Sequence, residues 1–86
     1  MKFLHYELQA AEGDTIVVTL DKQANVRVLD ASNFERYRRG ERHQYLGGKA
    51  LVRPARIPVP RSGRWHVAID LGGSTGSVKA SVSVER

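Results

Sequence analysis

The residues best equipped for chemistry in this chain run from Phe34 to Tyr45, where Arg36, Arg38, Arg39 and Arg42 are interleaved with Glu35, Tyr37, Glu41 and His43. Guanidinium groups pair bidentately with anionic oxygens, and tyrosine rings offer faces on which bases stack. Arg36, Tyr37, Arg38, Arg39, Arg42 and His43 are therefore the candidate ligand-binding residues. The partner they suit is an anionic ligand or an acidic protein surface. Nucleic acid stands behind both, because a basic composition alone has little specificity. The competing account is plainer: a charge run is ordinarily a solvated face, and ten arginines against four lysines can reflect codon usage in a GC-rich genome. Phe34 and Tyr37, three apart, would share one face of a helix and could anchor it to a sheet. Phe34 reads as core.

Elsewhere the chemistry-bearing residues are isolated. His5, His43 and His66 are scattered, there is no cysteine, and no His or Cys pair has the close spacing of a structural zinc site. Neither a metal nor a cofactor is expected. Catalysis needs a nucleophile, a base and an orienting group brought together, and no such constellation is visible. Asp70 lies four positions beyond His66 on one strand face, ~13 Å away at ~3.3 Å per residue. Gly72-Gly73-Ser74-Thr75-Gly76 lacks the Lys-Ser/Thr and helix that a phosphate-binding loop requires. A non-enzymatic protein is expected.

The elements that must position these residues are mostly strands. Trp65, Val67, Ile69 and Leu71 alternate with polar or small neighbours, as do Val78, Ala80, Val82 and Val84, and the glycine-rich stretch between them predicts a hairpin. Leu4, Tyr6 and Leu8, then Ile16, Val18 and Leu20, give two more strands separated by Glu12-Gly13-Asp14. Asn25–Asp30 follows the turn Asp21-Lys22-Gln23 as a third, hairpin-connected strand. Arg56–Pro60 is extended, but its prolines donate no hydrogen bond and confine it to a sheet edge. Trp65, on the same face as Val67 and Ile69, belongs to the core rather than to a sugar-stacking platform. Ser32 followed by Glu35 can cap a helix reciprocally, predicting a short helix over Asn33–Arg39 that ends at Gly40. The fold class is all-β: a small antiparallel β-sandwich or jelly-roll-like barrel of six to seven strands with one short helix.

An 86-residue chain supports one core, so residues 1–86 are read as a single domain. The net charge of +5 arises in the middle: residues 36–64 hold nine Lys or Arg against Glu41 alone, a local +8, whereas residues 1–35 are mildly acidic. No apolar run is long enough for a signal or a membrane span, which points to the cytoplasm, in agreement with the lack of cysteine.

Several stretches together carry a resemblance: Lys2-Phe3-Leu4-His5-Tyr6, Leu20–Val26, Ser32-Asn33-Phe34, Tyr37-Arg38-Arg39-Gly40, Ser62–Val67 and Ile69–Gly73. The sequence resembles the small bacterial family known as domain of unknown function eighteen eighty-three, over essentially its whole length. The resemblance implies a compact β fold and supplies no substrate, cofactor or catalytic residue. Some members of that family are joined to a Toll/interleukin-receptor-like domain, which implies an accessory sensing or docking role. The leading expectation is a binding module presenting Arg36–His43. A second is a self-associating domain that forms a homodimer through its proline-marked edge or an apolar surface.

Overall fold

Among the described residues, alternating β-branched residues and frequent turns give seven strands and one helix. The computed structural model describes residues 3–50, 54–72 and 76–86. In chain order the elements are β1 (Leu4–Ala10), β2 (Thr15–Leu20), β3 (Ala24–Leu29), α1 (Ala31–Arg38), β4 (Leu46–Ala50), β5 (Ala55–Pro58), β6 (Gly63–Asp70) and β7 (Ala80–Glu85). They form two antiparallel sheets, ordered β1-β6-β3-β4 and β5-β2-β7. The all-β expectation holds, as a sandwich. One core fills the space between the sheets: Ile16, Val18 and Leu20 from β2 meet Val26 and Val28 from β3 and Trp65, Val67 and Ile69 from β6. Burying each such side chain contributes roughly 1.5–3 kcal/mol. Trp65 is a core residue as expected, with its indole N–H donating to the Arg61 carbonyl at 3.2 Å.

The strand connections differ from the expectation. β6 pairs with β1 and β3, and β7 pairs with β2 in the other sheet, so the two do not form a hairpin. Part of their connection, residues 73–75, lies outside the described residues. β2 and β3 likewise belong to different sheets, and Asp21-Lys22-Gln23 carries the chain across the sandwich. The physical reason is that alternation defines an inner and an outer face, and facing sheets satisfy that pattern as well as neighbouring strands do. β5 is an edge strand, as its prolines require. β4 has no alternating pattern to announce it. At its Gly47, φ is +99° and a Cβ would stand 2.6 Å from the Val26 carbonyl oxygen, so the position accepts only glycine.

The helix exists but begins earlier than its spacing suggests. Its N-cap is Asp30, whose carboxylate accepts from the Asn33 backbone N–H at 2.9 Å, while Ser32 bonds only to Asp30. A carboxylate ahead of the serine takes the cap because it also complements the helix dipole. At the other end Gly40 has φ +76°, with Glu41 N–H bonded to Arg36 C=O at 2.8 Å and Gly40 N–H to Tyr37 C=O at 3.1 Å. These two bonds make a Schellman closure.

Candidate functional site

The four-stranded sheet has a second face, turned away from the sandwich core, and α1 lies across it. Register places the side chains of that face in rows: Glu7, His66 and Leu29 across three strands, then His5, Ala68 and Arg27, then Asp70 beside Asn25. Phe34 and Tyr37, on the buried side of α1, pack with Leu29, Ala68 and Phe3 in a small cluster separate from the main core. Ala68 is fully buried, and its small side chain leaves room for the helix.

Asp70 fastens the C-terminal half of the helix. Its carboxylate, 2% exposed, accepts from the Tyr37 hydroxyl at 2.9 Å, Asn25 Nδ2 at 3.1 Å and Gly72 N–H at 2.8 Å, and is ion-paired with Arg27. Burial alone would push this carboxyl up. The bonds from Asn25, Tyr37 and Gly72 and the Arg27 charge outweigh it and hold the group below the ordinary carboxylate value. Tyr37 moves the opposite way, its phenol pushed well above the usual range by burial and by the bond to the Asp70 anion. Arg27 in turn lies 5.2 Å from the Tyr37 ring centroid and 5.1 Å from that of Tyr45, a cation between two aromatic faces.

A histidine pair supports the other half. His5 Nε2 and His66 Nδ1 are 2.9 Å apart, with the two rings nearly coplanar, 16° between planes. The imidazoles thus lie edge to edge as one flat platform, and Phe34 stacks on both, 4.2 Å from His5 and 4.5 Å from His66 between centroids. His66 is buried, and its pKa is lowered by that burial and by the neighbouring His5 charge. Arg64 acts in the same direction, and Glu7 and Glu35 oppose them. Glu7 Oε1 is 3.8 Å from His66 Nδ1, and its other oxygen accepts from Arg64 at 3.2 Å.

The six residues singled out in the sequence divide in this structure. Tyr37 is 3% exposed with its hydroxyl committed to Asp70, so the ring offers no stacking face to a base; its place is structural. Arg36, Arg38, Arg39 and Arg42 all project into solvent around the helix C-terminus. The Schellman closure bonds the Glu41 N–H to the Arg36 carbonyl, so Arg42 follows directly on the residue whose backbone meets that of Arg36. Arg38 pairs with Glu35 at 2.8 Å, and Arg39 lies 3.6 Å from Glu41 and 4.0 Å from Glu35. Among the described residues Arg36 and Arg42 have no carboxylate partner. His43 is half-buried, its Nδ1 donating to the Glu41 carbonyl at 2.9 Å and its ring edge-on to Tyr37. The ring of Tyr45 is the one large apolar side chain exposed among the described residues.

The sequence reading missed two groupings, the Asp70–Tyr37–Asn25–Arg27 network and the His5–His66 platform. Both depend on which strands neighbour β6. Ala68, a small apolar residue in a polar row, is the one signal that something packs on that face. Among the described residues no group of three His, Cys, Asp or Glu is placed to hold a metal ion. None of the described helices is long and apolar enough to cross a membrane. The chain belongs to the family described as Domain of unknown function (DUF1883), whose model matches residues 1–86. No curated protein and no solved structure matches it.

Proposed function

We propose that this member of a family without an assigned activity is a non-catalytic docking module, which presents the arginines of α1 and the loop after it to an acidic segment of a partner protein. The observation that carries the reading is the cluster at the helix C-terminus. Arg36 and Arg42 stand there exposed and, among the described residues, without carboxylate partners, at the end of a helix fixed to the sheet by Tyr37 and Asp70. A surface already held in place loses little conformational freedom on binding, and exposed guanidinium groups pair bidentately with carboxylates. Arg38 and Arg39 sit beside them but share Glu35 and Glu41, so they supply less free charge.

A protein partner is favoured over nucleic acid by the disposition of the rings. Single-stranded nucleic acid sites combine basic grooves with aromatic platforms. Here Tyr37 is buried, and Tyr45 already packs against Arg27. A cytoplasmic, bacterial setting is part of the proposal, in keeping with a chain that holds no cysteine.

The test is fluorescence anisotropy of a labelled oligoglutamate peptide and a labelled single-stranded oligonucleotide, each at low and near-physiological salt. Peptide binding that weakens with salt and disappears in the Arg36→Glu/Arg42→Glu variant is the expected result. Tighter binding of the oligonucleotide would move the proposal to nucleic acid, and no binding to either probe at low salt would sink it.

A further inference from the structure

The sandwich has two flanks, and they are built differently. Tyr6 on β1 donates its hydroxyl to the Ala80 carbonyl on β7 at 3.2 Å, so these two edge strands run along the same flank, with β4 and β5 on the other. The β4/β5 flank carries the usual protections against edge pairing: Pro54, Pro58 and Pro60 around β5 and two glycines in β4. The β1/β7 flank has neither of these, only the exposed carboxylates Glu7 and Glu85. Leu4–Ala10 and Ala80–Glu85 contain no proline, glycine or lysine, and each alternates regularly. Leu4, Tyr6, Leu8, Ala80, Val82 and Val84 pack against the core but remain half-exposed there.

We infer that this flank is where a second copy of the chain docks, by antiparallel pairing of β1 with β1 about a two-fold axis at Tyr6. For the inner and outer faces to stay continuous, residues of like face must stand opposite one another, which restricts the axis to lie on a residue. An axis at Glu7 would set the two glutamates face to face, and one at His5 would do the same to the histidines. With the axis at Tyr6, His5 of each copy faces Glu7 of the other, twice over, and Leu4 faces Leu8. A histidine facing a carboxylate and apolar pairs at directly opposed positions both favour pairing. The two four-stranded sheets become one of eight strands, closing the unprotected edge, and β7 of each copy is brought toward the seam. This surface is distinct from both the arginine cluster and the proline-marked edge.

Sedimentation velocity of the full chain over a range of concentrations tests the inference. The wild-type chain is expected to sediment as a concentration-dependent dimer. Glu7→Lys should weaken it about tenfold, since the axis repeats the change at both ends. Glu7 is an exposed side chain, and circular dichroism would report any loss of fold. Amide exchange in the wild-type chain gives an independent readout that needs no variant: β1 amides should become more protected as the concentration rises. A monomer at every concentration, a dimer indifferent to Glu7→Lys, or concentration-independent exchange in β1 would overturn it.

Discussion

Strand β6 is buried on both sides, yet its two faces are built from different materials. Trp65, Val67 and Ile69 point inward to a core of aliphatic side chains, whereas His66, Ala68 and Asp70 point outward beneath α1. The inner face is held by area: many small contributions, each tolerant of a change in shape. The outer face is held by a few directional bonds around charged or polar groups, each costly to leave half-made in a low-dielectric setting. The inner face sustains the sandwich, and the outer face fixes where the helix, and with it the arginine surface, is held.

Breaking the outer face at its centre should have the largest effect. Asp70→Ala leaves the Arg27 charge and the Tyr37 hydroxyl without their partner, and should cost about 4 kcal/mol in urea unfolding. Tyr37→Phe keeps the ring and removes one donor to a carboxylate, for a loss of about 2 kcal/mol. On the inner face, Ile69→Val deletes one methylene from a well-packed core and should cost about 1 kcal/mol. If Ile69→Val proved costlier than Tyr37→Phe, the contrast between directional and area-based faces would fail.

The smallest effect is a dependence on pH confined to the outer face. The folded chain resists protonating His66, whereas the unfolded chain takes up that proton near the ordinary histidine value of about 6.5. Stability should therefore be level above neutrality and decline as pH falls below that value. A second decline should follow in the carboxylate range, as Asp70, depressed in the fold, is finally protonated. Replacing His66 with Phe should remove the first decline and leave the second. Midpoints of urea unfolding between pH 3 and pH 8, in wild type and variant, would read both.

Much of the fold is legible in the sequence because period-two alternation survives whatever a strand pairs with. Trp65 as core, the edge position of β5 and the presence of a helix near Phe34 all follow from local rules. What is not legible is non-local. The stretch Gly72–Gly76 has hairpin composition, but β6 and β7 end in different sheets, a choice made by packing rather than by the turn. Gly47 and Gly48 conceal β4, since neither carries a side chain that would mark the strand, and at Gly47 the close approach of the Val26 carbonyl requires that absence. The exposure of Arg36 and Arg42 is legible from charge alone. The burial of Tyr37 depends on Asp70, 33 positions away, and the joining of His5 to His66 spans 61.

The central claim, that the arginines around the end of α1 form the docking surface, is tested most directly by following backbone amide resonances of the full chain during titration with an oligoglutamate peptide. The account predicts salt-sensitive shifts concentrated at residues 36–43, absent in Arg36→Glu/Arg42→Glu, with the amides of β2 and β7 unmoved. Shifts centred on another surface, or an unchanged spectrum at low salt, would contradict it.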